Sequence, residues 1–141
     1  MTVIAFLKEH IRSAVEAGYA VTIVANSGDD AFLRHAGLQC NFHQIEIVRS
    51  ISVWRDVCAL VALYRFFHSA HFDIVHSISP KAGLLAMLAA RMARVPHRIH
   101  TFTGQVWVTS GGLRRFLLKN LDRLLSKCTT NTLIDSHSQK D

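Results

Sequence analysis

The chain has 141 residues, half of them hydrophobic, and a formal net charge of +6, which suits one globular domain with a real core and excludes a disordered segment. No apolar run reaches the roughly 18 residues of a membrane-spanning helix, and the N-terminus lacks the basic-then-apolar layout of a secretory signal, so the protein is expected in the cytosol or on a membrane face. Its three cysteines, Cys40, Cys58 and Cys128, are widely spaced in apolar surroundings; they form neither a disulfide framework nor a CxxC metal site and are expected as buried thiols.

Phe6, Leu7, His10, Ile11, Ala14 and Val15 recur at helical spacing up to Gly18, and Ala20 to Ala25 is a short β-rich run, so the chain opens as helix, glycine stop and buried strand. A second helical unit spans Asp29 to His35, stops at Gly37, and leads to a weaker strand around Phe42 to Val48. Ser52 then caps a long helix with apolar positions Val53, Val57, Leu60, Val61, Tyr64 and Phe67. Asp73 to Ile78 is the next strand. Ser79-Pro80, a capping residue followed by proline at the first helical position, starts an Ala/Leu/Met-rich helix that runs to about Arg94 and ends at Val95-Pro96. Arg98 to Phe102 is a strand, Gly111-Gly112 opens a helix to Lys127, and Thr130 to Ile134 is the last strand.

Short apolar strands alternating with helices, without polar-out alternation, predict an α/β fold with a doubly wound parallel sheet. No linker or repeat divides it, so residues 1–141 are taken as a single domain. Folds of this type usually begin on a strand, and residues 1–4 are too few for one. The expectation is a truncated piece of a longer design, lacking the first strand.

From Lys81 to Lys127 there are nine basic residues (Lys81, Arg91, Arg94, Arg98, Arg114, Arg115, Lys119, Arg123 and Lys127) against the single acid Asp122. Such asymmetry points to an anionic partner, phosphate or an acidic membrane surface, or else to a solvated basic face. A nucleic-acid partner is set aside, because interleaved aromatics and a recognised binding motif are missing.

In open parallel sheets ligands gather beyond the carboxyl ends of the strands. Asn26 to Asp30 is polar but acidic, and the chain has neither GxGxxG nor GxxxxGK[ST], which argues against a dinucleotide site or a P-loop. Ser77 to Gly83 is better suited: Ser79, Lys81 and Gly83 stand at a helix N-terminus, where free N–H groups, the helix dipole and a lysine favour a phosphate. The alternative is an ordinary cap with Lys81 in water. In Arg98 to Trp107, written RIHTFTGQVW, the strand ends at Thr103-Gly104; Gly104 permits close backbone approach, and Gln105 and Trp107 offer an amide and a flat apolar face to a sugar or lipid-linked group. Here the alternative is that Trp107 simply packs on the next helix. No metal is expected. His68 and His71 have no third ligand at suitable spacing, and His76 and His100 read as hydrogen-bonded strand residues. Leu113 to Lys127 interleaves leucines with Arg114, Arg115, Lys119 and Arg123. The leucines are assigned to packing on the sheet, and the basic rim also suits an anionic bilayer.

The run DIVHSISPKAGLLAMLAARMARVPHRIHTFTGQVW, followed by GGLRRFLLKNLDRLL, resembles the N-terminal half of family 4 glycosyltransferases of the GT-B fold, and AFLKEHIRSAVEAGYAVTIVAN is similar to that family's first helix and second strand. The likeness is greatest to bacterial enzymes that build polysaccharides or glycans on undecaprenyl diphosphate. It implies a Rossmann-like, acceptor-side domain of a two-domain enzyme, whose other domain, not encoded in these residues, binds a nucleotide sugar. It also implies a lipid-linked acceptor, no further cofactor, and a peripheral place on the inner face of the cell membrane. Ser79, Lys81 and Gly83 would hold acceptor phosphate, Thr103, Gly104 and Gln105 would line the sugar cleft, and Arg114, Arg115, Lys119 and Arg123 would face the membrane. Many members carry a histidine just before the glycine that is here Gly104. This chain has Thr103 there, and a hydroxyl is a poor base near neutral pH, so no catalytic residue is assigned. The isolated chain is expected to be inactive; the alternative is a non-catalytic fragment, or one subunit of a split transferase that needs a partner chain.

Overall fold

A computed structural model describes residues 2–26, 37, 39–48, 50, 52–102 and 112–134. They fall into two units, Met1–Val48 and Arg49–Asp141.

The first unit holds α1 (Thr2–Glu16), β1 (Thr22–Ala25) and β2 (Asn41–Gln44). The amide of Tyr19 reaches the Ala14 carbonyl at 3.1 Å and that of Gly18 the Val15 carbonyl at 2.9 Å, with Gly18 at φ 90°. This is a Schellman stop, and its left-handed residue is the glycine that the sequence marks as the end of the helix. β1 and β2 pair in parallel, Thr22 opposite Asn41 through Ala25 opposite Gln44. β2 is shorter than expected: residues 45–48 leave the strand, although Ile45 still donates to the Ala25 carbonyl at 3.2 Å. The expected helix at 29–35 lies outside the described residues.

The second unit runs α2 (Val53–Ala70), β3 (Ile74–Ser77), α3 (Pro80–Met92), β4 (His97–Phe102), α4 (Gly112–Cys128) and β5 (Asn131–Ile134). Its sheet has the order β3-β4-β5. All pairs are parallel, with Ser77 opposite His100 and Phe102 opposite Ile134. The chain is thus of the expected α/β class with parallel strands. α3 is central: it packs on β3 and β4 and touches both α2 and α4. Its buried Gly83, Met87, Ala89 and Ala90 are mostly small, which allows that close approach. They meet Ala59, Leu63 and Phe67 of α2, Val75 of β3, and Leu125 and Cys128 of α4 in one core. At the end of α3, Val95 donates to the Ala90 carbonyl at 2.9 Å and Arg94 to the Arg91 carbonyl at 3.1 Å. This second Schellman stop holds an arginine, Arg94, at φ 59°.

Three expectations are corrected. In α2, Phe67 is buried as expected, but Val53, Val57 and Val61 are exposed, and Ala59 and Leu63 complete the buried face. The helix is apolar nearly all round, so its period does not single out one face. Cys58, expected to be buried, lies on the exposed side of α2, whereas Cys128 is buried and Cys40 half-buried, with burial pushing the Cys40 thiol pKa up. In α4 the leucines do not chiefly pack inward: Leu113, Phe116, Leu117, Leu121 and Leu124 are exposed, and Leu125 is buried. Apolar residues occupy several adjacent i+4 rows of that helix, and only the rows turned toward α3 reach the core.

Candidate functional site

The carboxyl edge of the three-stranded sheet collects the exits of β3 and β4, the place where parallel sheets bind ligands. β3 leaves through Ser77 and Ile78 into Ser79-Pro80. Ser79 is the N-cap of α3 in an extended conformation (φ −83°, ψ 145°) with proline at the start of the helix, but its side chain makes no capping bond. The helix is opened instead by the backbone, Gly83 donating to the Ser79 carbonyl at 2.7 Å. Ser52, the N-cap of α2, likewise makes no side-chain capping bond.

Lys81 reaches this edge, though not into water. Its Nζ lies 2.7 Å from Oδ1 of Asp56, in the first turn of α2, and 2.5 Å from the Ser50 carbonyl. A ligand phosphate here would meet the N-terminus of α3, the exposed Ser79 and a lysine already balanced by a carboxylate. Asp56 is a residue that sequence reasoning missed; its only signal is its place in a helical first turn, where an acid is favourable in any helix.

Gly83 is buried. A methyl group added there would come within 2.7 Å of His100 Cε1 and 2.9 Å of its Nδ1. His100 is 1% exposed, its Nδ1 is 2.8 Å from Ser77 Oγ, and its ring meets Phe102 edge-on at 4.6 Å. Burial, with the neighbouring His76 adding to it and a hydrogen bond to Ser77 opposing it, lowers the pKa of His100 from 6.5 to about 4. It is therefore neutral under physiological conditions. His76 Nε2 lies 2.8 Å from Thr101 Oγ1, so His76 and His100 each pair with a hydroxyl on the neighbouring strand. Both read as hydrogen-bonded strand residues, as the sequence suggests. Among the described residues no group of three or more His, Cys, Asp or Glu is placed to hold a metal ion.

β4 ends at Phe102, and Thr103, Gly104, Gln105 and Trp107 lie outside the described residues. So does the side chain of Arg114; Arg115, Lys119 and Arg123 are on the exposed surface of α4. Other basic residues of this half have internal duties. Arg98 donates from Nε to the Cys128 carbonyl at 2.7 Å and from Nη1 to the Val95 carbonyl at 2.6 Å, and Arg91 donates to the Lys127 carbonyl at 2.9 Å. Two guanidinium groups thus satisfy the closing carbonyls of α4, where the helix dipole favours cations. In the first unit Asn26, just past β1, both donates to the Ile47 carbonyl at 2.6 Å and accepts from the Ile47 amide, pinning the segment that leaves β2. No helix among the described residues is long and apolar enough to cross a membrane.

Residues 3–140 match the glycosyl transferase 4-like domain. Over 96 residues the chain is 33% identical to the UDP-Gal:alpha-D-GlcNAc-diphosphoundecaprenol alpha-1,3-galactosyltransferase of Escherichia coli, covering 67% of this chain and 25% of that protein. Over 98 residues it is 33% identical to the capsular polysaccharide biosynthesis glycosyltransferase CapM of Staphylococcus aureus, covering 70% of this chain and 26% of the relative. The aligned part is therefore about a quarter of the length of these curated relatives.

Proposed function

Since this chain belongs to the glycosyl transferase 4-like domain family, we propose that it forms the acceptor-side domain of an enzyme that moves a sugar from a nucleotide sugar to a lipid-linked acceptor in cell-surface polysaccharide or glycan synthesis. The observation that carries this reading is the pair of relatives, one named for a diphosphoundecaprenol-linked acceptor and the other for capsular polysaccharide. The edge beside Ser79, Lys81 and Gly83 is the acceptor-phosphate site, and Thr103, Gly104 and Gln105 form the wall of the sugar cleft. Arg114, Arg115, Lys119 and Arg123 face an anionic membrane surface on its inner side. Transfer requires donor and acceptor to be held together, so these 141 residues alone bind acceptor without turning over, and a donor-binding domain or partner chain completes the site.

Binding of undecaprenyl-diphosphate-linked N-acetylglucosamine, compared with binding of UDP-sugars by calorimetry in detergent, tests the acceptor assignment. Acceptor binding that Ser79→Ala weakens is the expected result. Tight UDP-sugar binding with no acceptor binding overturns it. For the membrane, each cation near an anionic surface contributes about 1 kcal/mol, and salt weakens the attraction. Replacing Arg114, Arg115, Lys119 and Arg123 by glutamine is expected to abolish co-sedimentation with phosphatidylglycerol vesicles while leaving the fold intact.

A further inference from the structure

The edge at the start of α3 holds a group that a phosphate alone does not explain. Asp56, in the first turn of α2, sets its Oδ1 2.7 Å from Lys81 Nζ, so a carboxylate stands beside the cation assigned to the ligand. The Ser50 carbonyl accepts from the same Nζ at 2.5 Å. Both neighbours are acceptors, and both oppose an anion. A site shaped only for phosphate would leave the lysine uncompensated, whereas here its charge is balanced before any ligand arrives.

The pair stands where a ligand of this sheet would lie. α3 follows β3 directly, so its first turn, with Lys81, is at the carboxyl edge, and the ion pair brings the first turn of α2 to the same place. Ser79 is exposed there and makes no side-chain capping bond. An ionised carboxylate accepts at up to about four positions, so Asp56 keeps acceptor capacity after Oδ1 has taken the lysine. An ionised diphosphate carries acceptors and no donor, and gives Asp56 nothing to accept. A sugar joined to that diphosphate carries hydroxyl donors next to its charge. Cation, helix N-terminus and carboxylate together match such a molecule and mismatch a bare anion.

We propose that Asp56 is a specificity-determining residue of the acceptor site: its carboxylate accepts a hydrogen bond from a hydroxyl of the sugar whose phosphate lies on Lys81 and the start of α3, and it repels anions that carry no sugar. This rests on the acceptor-phosphate reading given above and deepens it by naming the group that reads the sugar. General affinity for anions is given up, and selectivity comes from one group that attracts the right ligand and opposes the wrong one.

Calorimetry with two ligands of equal chain, an alkyl diphosphate and the same alkyl diphosphate carrying N-acetylglucosamine, tests this on the wild type and on Asp56→Asn. The wild type is expected to favour the sugar-bearing ligand on the order of tenfold, as one charge-assisted hydrogen bond allows. In Asp56→Asn the bare diphosphate is expected to bind at least as well as in the wild type, and the preference to vanish. A purely structural role would weaken both ligands alike and leave their ratio unchanged. Deoxy analogues of the sugar, measured on the wild type, check the same contact without a substitution in the protein: removal of one hydroxyl alone is expected to erase the preference. No preference in the wild type, equal binding of all deoxy analogues, or a preference that survives Asp56→Asn overturns the role of Asp56 and leaves the phosphate site standing. Binding of neither diphosphate removes the acceptor site itself, and this role with it.

Discussion

The imidazole of His100 lies against the bare Cα of Gly83, so close that a methyl group there would sit 2.7 Å from Cε1. Helix α3 rests on β4 at this point, and Ser77 Oγ, 2.8 Å from the ring's Nδ1, would itself lie 3.2 Å from that methyl. Gly83→Ala gains helix propensity of about 1 kcal/mol but forces a displacement in a packed interior, which typically costs about 1–3 kcal/mol. A net loss of up to about 2 kcal/mol in urea denaturation is expected. In a His100→Ala background the same substitution should cost much less or become neutral, because the nearest obstacle is gone and only Ser77 Oγ, at 3.2 Å, remains close. Equal losses in both backgrounds would show that the close approach does not govern the site.

The same histidine makes the fold sensitive to acid. Its folded pKa is about 4 against an ordinary 6.5, so the unfolded chain takes up a proton that the folded chain refuses in the window between those values. The stability it contributes is full above pH 6.5, declines as pH falls, and is lost by about pH 4, on the order of 3 kcal/mol in all. Urea midpoints at pH 7.5 and 4.5 measure it. His100→Gln, which keeps a hydrogen-bonding side chain opposite Ser77 but does not titrate, is expected to flatten the slope.

Much of the element order is legible in the sequence because its signals are local. Ser79-Pro80 starts α3 since proline there surrenders an N–H that a helix leaves unbonded, and Gly18 stops α1 in a left-handed conformation open to glycine. Lateral facts are not legible. Val53, Val57 and Val61 satisfy the helical period as well as Ala59, Leu63 and Phe67 do, and only packing against α3 decides which are buried. Ser79, Lys81 and Gly83 read as a phosphate cradle. The structure places Lys81 on Asp56 and Gly83 against His100, contacts fixed by the tertiary fold that no local motif encodes.

Arg94 gives a prediction of the opposite sign. It occupies the left-handed position of the Schellman stop after α3, with φ 59°, where a residue with a Cβ is strained by roughly 1–2 kcal/mol. Arg94→Gly relieves that strain at some cost in unfolded-state entropy, and a gain of about 0.5–1 kcal/mol is expected. Arg94→Ala keeps the Cβ and should change little. Thermal melts of the two variants decide it, and equal shifts would mean that loss of the charge, not relief of the backbone, sets the stability.

The Lys81–Asp56 pair is asymmetric in a way that can be measured. Asp56 stands in the first turn of α2, where the helix dipole favours a carboxylate, whereas Lys81 stands in the first turn of α3, where the dipole disfavours a cation. Removing the lysine leaves Asp56 with a favourable field. Removing the carboxylate leaves Lys81 against an unfavourable one. Both groups are mostly shielded, with side-chain exposures of 29% and 21%, so the coupling exceeds that of an ordinary surface pair. Lys81→Met is expected to cost about 0.5–1 kcal/mol and Asp56→Asn about 1–2 kcal/mol, with the double variant recovering part of the latter. Lys81 in the Asp56→Asn protein also lacks its carboxylate at the edge assigned to acceptor phosphate. Inorganic phosphate should therefore raise the melting temperature of Asp56→Asn more than that of the wild type, and should do nothing for the double variant. Equal phosphate shifts in all three proteins would show that the anion binds elsewhere and would remove Lys81 from the acceptor site.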